Sequence, residues 1–352
     1  MIVTVTPNLA LDVTYELPEL RPGETHRVEN VHARAGGKGV NVARVLHALG
    51  HDVLVVGPAG GPTGAALRAD LDAAGLAHDL VPISGETRRT VTVVAGGDAT
   101  LLNEPGPTIT PEEWAALEAR IPDADVVVIS GSLPPGVPAD AVARLARRDA
   151  RVIVDTSGEP LRHAAPYAWA VKPNAVELAE LTGTDDPVAG ARALLAGADD
   201  PVTGARTLLT GTDDPVAGAR ALRAGADHAV TGDRSLGAPA VVVSLGGEGL
   251  MAVVGDEVHR VAPPQVVTGN PTGAGDAVVA ALAAGIGSPW PDLLKDAAAL
   301  SAAAVLAPVA GAYDPAAYEG FRRCLSSPQE RSSSPDTASA PSTSSSSNTP
   351  KR

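Results

Sequence analysis

Short apolar runs that end in polar residues alternate along this chain with segments of helical spacing, and this alternation limits its fold most strongly. The apolar runs occupy residues 2–6, 52–57, 125–130, 151–155 and 169–174. Their Val- and Ile-rich composition indicates buried strands. Strands in alternation with helices predict a mostly parallel sheet that is covered by helices on both faces. The polar last residues would then line one rim of that sheet, where α/β proteins place their ligands.

Two further segments differ from these core strands. Residues 24–35 and 87–103 alternate loosely and carry polar residues on both faces. This pattern predicts an exposed β flap rather than a part of the central sheet. Gly96 and Gly97 mark the turn of a hairpin within the second segment.

Composition narrows the class of protein. The 352 residues are 44% hydrophobic but only 2% aromatic, so the core has to be built from Ala, Val and Leu. No apolar run reaches the length of a membrane span, and the first residues contain neither a basic region nor a cleavage site, so we expect a cytoplasmic protein. Cys324 is the only cysteine, which excludes a disulfide framework. The net charge of -14 disfavours nucleic acid and anionic membranes as partners, but it allows a small anionic substrate in a locally basic pocket.

A glycine-rich turn at residues 272–276 runs directly into a helical pattern of small residues. Gly273 and Gly275 allow the backbone to approach a ligand closely, and the following helix directs unpaired N–H groups and its positive dipole end to that place. Asp276 would repel a phosphate bound there, yet it has a purpose if it removes a proton from a hydroxyl that attacks the phosphate. The alternative is an ordinary N-terminal helix cap, which is a common role of Asp.

A second glycine turn, residues 36–39, contains Lys38 and precedes another helical pattern. Lysine is rare in this chain and occurs only at positions 38, 172, 295 and 351. Two of these four, Lys38 and Lys172, lie in turns marked by Gly or Pro, where a lysine supplies a point charge to a site. The turn therefore predicts a second anion site, with a plain left-handed turn as the alternative.

An unusual repeat occupies about residues 185–237. Copies that begin at Asp185, Asp199 and Asp213 are fourteen residues apart, and a degraded copy begins at Asp227. Each copy encodes a short helix with Asp as its cap and Pro at its first position. Because the third and fourth copies lose the apolar stripe that the first two share, we interpret the repeat as the tandem duplication of one surface helix, with a regulatory or partner-binding role as the alternative. The tail, residues 326–352, is rich in Ser, Pro and Thr and is expected to be disordered.

Seven spaced motifs resemble those of one known family. In chain order they are RAGGKGVNVAR, LNEPGP, SGSLPPGV, DTSG, KPNAVEL, VSLGGEG and NPTGAGDA. Together they resemble the ribokinase-like sugar kinases of the phosphofructokinase-B type, and in particular the branch of 1-phosphofructokinases and tagatose-6-phosphate kinases. The resemblance covers residues 1–322 apart from the repeat. It implies one α/β domain with three layers, α/β/α, a mostly parallel central sheet and a small β flap that serves as a lid.

The resemblance also implies roles for particular residues. Asp276 would deprotonate the acceptor hydroxyl beside a backbone cradle for the transferring phosphoryl group. Asn174 and Glu177 match an Asn-x-x-Glu element that helps to hold Mg²⁺, partly through water. The implied catalytic set is Asp276, Gly273, Ala274 and Gly275. The implied ATP-binding set is Lys172, Asn174, Ser244, Leu245, Gly246, Gly247, Glu248 and Gly249.

Sugar binding is implied by residues nearer the start of the chain. The implied set is Asp12, Gly37 and Asn41 for the sugar hydroxyls, with Lys38, Arg88 and Arg27 for the sugar's own phosphate. Paired cations suit a dianionic substrate in so acidic a protein. Related kinases commonly have Lys or Asn where this chain has Arg89, Thr90 and Thr92, which leaves the identity of the sugar phosphate open.

The activity implied by the resemblance is Mg²⁺-dependent phosphorylation of a phosphorylated ketohexose by ATP. Fructose 1-phosphate, converted to fructose 1,6-bisphosphate, is the first substrate, and tagatose 6-phosphate and fructose 6-phosphate are the alternatives. A Rossmann dehydrogenase is disfavoured because no predicted strand is followed by a GxGxxG turn. A non-catalytic sugar-phosphate sensor is disfavoured because the base, the anion turn and the Asn-x-x-Glu element occur together. Homodimers formed through the flap are common in similar proteins, but nothing in the sequence fixes the oligomeric state of this one.

Overall fold

A nine-stranded sheet lies at the centre of the computed structural model, which describes residues 1–96, 98–196 and 239–326. In chain order the elements are β1 (Ile2–Val5), β2 (Ala10–Leu17), β3 (Asn30–Gly36), α1 (Lys38–Ala48), β4 (Val53–Ala59), α2 (Gly61–Ala73), β5 (Ala77–Pro82), β6 (Arg88–Ala95), β7 (Asp98–Asn103), α3 (Pro111–Arg120), β8 (Val126–Ser130), α4 (Ala141–Ala146), β9 (Arg151–Asp155), α5 (Gly158–Ala164), β10 (Ala170–Val171), α6 (Ala175–Thr182), α7 (Pro187–Ala196), β11 (Ala240–Ser244), β12 (Leu250–Val254), β13 (Glu257–Val261), α8 (Ala274–Ala284), α9 (Trp290–Val305) and α10 (Pro315–Ser326). A short 3₁₀ turn at Gly246–Glu248 joins β11 to β12.

The strands of the central sheet follow the order β13-β12-β11-β10-β9-β8-β1-β4-β5. The seven strands from β11 to β5 run parallel, whereas β12 and β13 are antiparallel and close one edge. Because parallel strands share their direction, the carboxyl ends of β1, β8, β9 and β10 all reach the same rim. The sequence predicted this mostly parallel sheet correctly.

Helices cover both faces of the sheet. Successive residues of β8 alternate between two hydrophobic clusters, since Val127 and Ile129 belong to one and Val128 to the other. The cluster around Val128 includes α1, α8 and α9, and the opposite cluster includes α3, α4, α5 and α7. Continuous Val and Ile runs are what a strand buried on both faces requires. The predicted three-layer α/β/α arrangement is therefore observed, with a core made mainly of Ala, Val and Leu.

The flap is a separate four-stranded sheet with the order β3-β2-β6-β7. It contains the predicted hairpin, but it also contains β2, which the sequence did not identify as a strand. Within the predicted segment 24–35, strand begins only at Asn30. In β2, Leu11 and Val13 are buried in the core while Asp12 and Thr14 point to the other face, so a two-residue alternation is present there.

The first copy of the repeat forms α7. Asp186 Oδ1 accepts hydrogen bonds from the backbone N–H groups of Val188 (2.9 Å) and Ala189 (3.3 Å), and Pro187 is the first residue, so the predicted capping is observed in this copy. Ala191 and Leu194 are buried in the core while Arg192 and Ala193 are exposed, so this copy is an amphipathic helix at the surface with one face against the core. The remaining copies and the predicted disordered tail from residue 327 lie outside the described residues.

Throughout the described ranges, no helix is both long and apolar enough to cross a membrane. The expected cytoplasmic location stays a prediction.

Candidate active site

A buried carboxylate joins two lysines at the carboxyl rim of the sheet. Asp155 ends β9 and is 1% exposed, and its Oδ1 lies 3.2 Å from Nζ of Lys38 and 3.4 Å from Nζ of Lys172. Lys172 directly follows β10 and is also buried. The sequence predicted both lysines as site residues but not Asp155. The signal for Asp155 was present, because it is the polar last residue of a buried strand and the first residue of the DTSG motif.

The glycine turn before α1 places Lys38 in this cluster. Gly37 has a φ of 100°, and a Cβ at this position would lie 2.9 Å from Cγ2 of Thr6. A side chain at position 37 would therefore strain the turn. Burial opposes the charge on Lys38, but the carboxylates of Asp155, Glu177 and Asp276 outweigh burial and raise its pKa.

Asp276 lies in the first turn of α8 and is buried. Its Oδ2 accepts a hydrogen bond of 2.8 Å from Nδ2 of Asn41. The N-cap position belongs to Gly273, so the alternative of Asp276 as the N-cap residue is not what the structure shows. Burial, together with the nearby charge of Asp155, raises the pKa of Asp276 to about 6, although Asn41 and the two lysines partly offset this.

Asn174 and Glu177 form a capping box at the start of α6. Glu177 N–H donates to Asn174 Oδ1 (2.8 Å), and Asn174 N–H donates to Glu177 Oε2 (2.9 Å). This reciprocal pair gives both residues a structural role that is independent of any metal. In the described part of the chain, no group of three or more His, Cys, Asp or Glu side chains is arranged to hold a metal ion.

The predicted ATP loop lies beside this capping box. Ser244 and Asn174 form an isolated parallel bridge, and Ser244 N–H donates to the carbonyl of Pro173 (3.2 Å). Gly246, Gly247 and Glu248 are exposed. Leu245 N–H closes the loop by donating to the carbonyl of Gly249 (2.9 Å). The loop is thus an exposed turn at the same rim as Lys172.

A second polar group lies on the flap around Asp12. Asp12 is paired in register with Arg34 on β3 and with Thr90 on β6. Burial raises the pKa of Asp12 to about 6, and Arg34 and Arg88 partly offset this. A Cβ on Gly36 would lie 2.0 Å from Asp12 Oδ2, so the carboxylate occupies the space that a side chain at position 36 would need. The sequence did not select Arg34, because only the pairing of β2 with β3 brings it to Asp12.

The two adjacent arginines of β6 point to different partners. Arg88 Nη1 donates to the carbonyl of Glu104 (2.9 Å), and its charge is close to Asp12. Arg89 Nη2 instead donates to Thr63 Oγ1 (2.8 Å) and pairs with Glu86 (3.2 Å). Of these two arginines, only Arg88 has its charge near Asp12, and its role in sugar binding stays a prediction.

Arg27 is not joined to either group. It is exposed and lies in the connection between β2 and β3. Among the described residues, no contact links it to Asp12 or Arg88. The structure therefore brings most of the predicted residues to the rim or to the adjoining flap, with Arg27 apart from both.

The arrangement at the rim supports a defined chemistry. A buried carboxylate with a raised pKa can accept a proton, and two lysines and a helix N-terminus provide positive charge beside it. This combination is suited to the transfer of an anionic group to a hydroxyl.

Comparison with known proteins decides the family. The model of the pfkB family carbohydrate kinases matches residues 8–316. The chain belongs to this family. Among curated relatives of this pfkB kinase, an ATP-dependent 6-phosphofructokinase isozyme 2 of Mycobacterium tuberculosis is 32% identical over 347 residues, covering 94% of this chain and 91% of the relative. A 1-phosphofructokinase of Haloferax volcanii is 41% identical over 187 residues, covering 52% of this chain and 61% of the relative.

Solved structures support the same fold for this pfkB kinase. Phosphofructokinase-2 from Escherichia coli, in complex with potassium, has a TM-score of 0.77 at 26% identity and covers 93% of this chain and 99% of its own. A ribokinase of Thermotoga maritima has a TM-score of 0.65 at 18% identity, with coverage of 92% and 99%, and this likeness concerns the fold alone. The predicted ribokinase-like fold and the predicted carbohydrate kinase class are both confirmed.

Proposed function

We propose that this pfkB kinase transfers a phosphoryl group from ATP to a hydroxyl of a phosphorylated ketohexose. Fructose 1-phosphate is the first acceptor, giving fructose 1,6-bisphosphate, and fructose 6-phosphate and tagatose 6-phosphate are the alternatives. The names of the two curated relatives support a phosphofructokinase but differ in the acceptor. The observation that carries the proposal is the buried Asp276 carboxylate, held by Asn41 at the N-terminus of α8 beside two lysines.

Asp276 would act as the general base. With a pKa of about 6, its carboxylate is mostly ionised at neutral pH and remains basic enough to accept a proton from the acceptor hydroxyl. Asn41 donates to Oδ2, which leaves Oδ1 for that hydroxyl. The proton moves to Oδ1 as the hydroxyl oxygen attacks the γ-phosphate of ATP and the β–γ bridge bond breaks, with ADP as the leaving group.

The positive groups of the rim would stabilise the transferring phosphoryl group. The backbone N–H groups of Gly273, Ala274 and Gly275 are at the N-terminal end of α8, where the helix dipole is positive. Lys38 and Lys172 are fixed in place by Asp155 and need no reorganisation when charge develops. The contact of Lys38 with Asp155 favours a role at the transferring group over a role at the sugar's own phosphate.

Mg²⁺ fits this donor set as an ion that keeps much of its water. Asn174 Oδ1 and Glu177 Oε2 already accept backbone N–H groups, so Glu177 can offer chiefly its other oxygen. Asp155 Oδ2 is buried and has no hydrogen-bond partner in the described part of the chain, which gives one further carboxylate oxygen at the rim. Mg²⁺ commonly binds through one or two carboxylates, water and phosphate oxygens. When bound, the ion would neutralise charge on the ATP phosphates.

The remaining predicted residues divide between the two substrates. Lys172 and the loop of residues 244–249 would bind ATP at the rim, next to Asn174. Asp12 would bind sugar hydroxyls, with Gly37 and Asn41 beside it, and Arg88 would bind the sugar's phosphate. Arg27 could contribute only if the connection before β3 folds over the bound sugar. Closure of the flap would exclude water and so prevent the hydrolysis of ATP.

A homodimer formed through the flap is the proposed assembly. Four apolar side chains of the flap are exposed, which is a feature of interaction surfaces. Their exposed fractions are 54% for Val31, 36% for Val94, 46% for Leu101 and 57% for Leu102.

A coupled assay of ADP release tests the proposed function. The purified chain is given ATP and Mg²⁺ with fructose 1-phosphate, fructose 6-phosphate, tagatose 6-phosphate or unphosphorylated fructose. We expect turnover with at least one phosphorylated ketohexose and the highest kcat/KM with fructose 1-phosphate. A higher kcat/KM with fructose 6-phosphate would make that sugar the acceptor and would leave the proposed mechanism unchanged. Equal kcat/KM for fructose and its phosphates, or no turnover with any sugar, would contradict the proposal.

A further inference from the structure

Arg34 lies on the same face of the flap as Asp12 and Arg88. It is directly opposite Asp12 in the antiparallel pairing of β2 with β3, and such pairs present their side chains on one face. Arg88 lies on the other side of Asp12, two residues before its register partner Thr90, and two-residue spacing keeps it on that face. The three side chains form a row across the flap sheet with the carboxylate in the middle.

The arginines near this row differ in whether they have an anionic partner. Arg44, on α1, donates to Asp70, whose Oδ2 also accepts Ala35 N–H (2.8 Å). Arg34, in contrast, makes no hydrogen bond or ion pair within the described residues, although it is half-buried and its charge is near those of Asp12 and Asp70. Buried charges of folded proteins are ordinarily paired, so an unpaired guanidinium indicates a missing anionic partner.

Arg88 is also incompletely satisfied. Its Nη1 donates to the carbonyl of Glu104, but its Nε is buried and has no partner in the part of the chain that the structure describes. The carboxylate of Glu104 accepts the backbone N–H of Arg89 (2.8 Å). Free guanidinium donors therefore lie on both sides of Asp12, on an otherwise strongly acidic protein.

We propose that Arg34 is a specificity-determining residue that, together with Arg88, binds the phosphate group already present on the acceptor sugar. The inference rests on the proposed function. Two planar guanidinium groups can bind a dianionic phosphate through several charge-assisted hydrogen bonds, while Asp12 between them accepts hydrogen bonds from sugar hydroxyls. Lys38 is engaged by Asp155 at the rim, so the acceptor's own phosphate needs a cation of this kind.

The test compares Arg34→Met and Arg34→Lys with the wild type and with Arg89→Met as the matched control. Arg89 is the neighbouring arginine whose side chain is held by Glu86 and Thr63. Steady-state kinetics are measured with ketohexose phosphates, with unphosphorylated fructose and with ATP as the varied substrate. We expect Arg34→Met to raise KM for the sugar phosphate by about 10- to 100-fold, with KM for ATP and kcat/KM for fructose unchanged. Arg34→Lys keeps the charge but loses the forked donors of the guanidinium, so its KM for the sugar phosphate should lie between those of the wild type and Arg34→Met. Arg89→Met should have the KM values of the wild type.

Two results would overturn the inference. One is an unchanged KM for the sugar phosphate in a folded Arg34→Met protein. The other is an equal loss with phosphorylated and unphosphorylated sugar, which would show that Arg34 only positions Asp12. Thermal denaturation shows whether Arg34→Met folds. If it does not, Arg34→Lys decides between the same outcomes through the ratio of kcat/KM for the sugar phosphate to kcat/KM for fructose. The wild-type reactions test the proposed function separately, because they do not depend on any Arg34 variant.

Discussion

Asn41 partly offsets the effect of burial on the pKa of Asp276 through one hydrogen bond of 2.8 Å. The amide donor stabilises the ionised carboxylate and lowers its pKa, so Asn41→Ala should raise the pKa of Asp276 above about 6. The acid limb of kcat/KM should then move to higher pH, because a larger fraction of the base is protonated at each acidic pH. The measurement is a pH–rate profile from about pH 5 to about pH 9.

The control for this profile is Asn30→Ala, because Asn30 is exposed on the flap and bonds to Glu16. Asp12 also has a pKa of about 6, so an acid limb near this pH does not identify the group by itself. Only a displacement in Asn41→Ala that Asn30→Ala does not show assigns the limb to Asp276. An acid limb that stays in place in both variants would mean that Asp276 is not the titrating base.

The buried charge of Asp276 should also reduce the stability of the fold at high pH. Its folded-state pKa is raised from 3.8 to about 6, so the stability that its proton contributes is complete below about pH 3.8 and is lost as the pH rises through about 6. Asp276→Asn removes this loss. The variant should therefore exceed the wild type in free energy of unfolding by about 3 kcal/mol at neutral to alkaline pH, and by almost nothing near pH 4. Urea denaturation of both proteins at about pH 4 and about pH 8 measures this difference in free energy of unfolding. A variant that is less stable than the wild type near pH 8 would contradict the prediction.

The residues that were predictable from the sequence are those to which a local pattern gives a role, whereas Asp155 and Arg34 lie in the DTSG and RAGGKGVNVAR motifs but acquire a role only through residues elsewhere in the chain. Lys38 and Asp276 follow glycine turns and Lys172 precedes Pro173, all at predicted element ends, and these local signals identify them. Asp155 and Arg34 gain their importance from neighbours that are distant in sequence. Lys38 and Asp155 are 117 residues apart, and no local pattern announces such a contact. The spacing of Asn174 and Glu177 also matches a capping box, but the resemblance implied only a role in holding Mg²⁺.

At the scale of the element, the flap depends on a close approach between β2 and β3. Gly36 faces Asp12, and a Cβ there would lie 2.0 Å from its Oδ2. Gly36→Ala should displace the carboxylate and raise KM for the acceptor sugar by about 10-fold or more, with KM for ATP unchanged, because overpacking costs about 1–3 kcal/mol. Gly320→Ala, at a position in α10 with open space around it, is the control and should be neutral. Equal KM values for the sugar in Gly36→Ala and wild type would contradict the placement of Asp12 in the sugar site.

Core strands such as β8 and β9 were predictable because each contains a run of Val and Ile with a polar last residue. The strand β2 was missed because its alternation follows Pro7 and Asn8, which read locally as the end of β1 and the start of a loop. Its pairing with β6 joins residues such as Ala10 and Arg88, and this non-local pairing decides that the segment is a strand.

At the scale of the whole molecule, the exposed apolar side chains of the flap predict a dimer. Leu102 is 57% exposed, so Leu102→Glu should disturb an interface without disturbing the core. Sedimentation velocity should show a dimer for the wild type and a shift toward monomer for Leu102→Glu. Val266→Glu is the control, because Val266 is 90% exposed outside the flap. A monomeric wild type, or a dimer that Leu102→Glu leaves intact, would contradict assembly through the flap.

The central claim is that Asp276 removes the proton from the acceptor hydroxyl, and Asp276→Asn tests it most directly. Asparagine has nearly the same shape but cannot accept that proton. We expect kcat with the preferred ketohexose phosphate to fall by about 10²- to 10⁴-fold, while the Kd for ATP, measured by calorimetry, stays close to that of the wild type. Near-normal turnover by a folded Asp276→Asn protein would contradict the account.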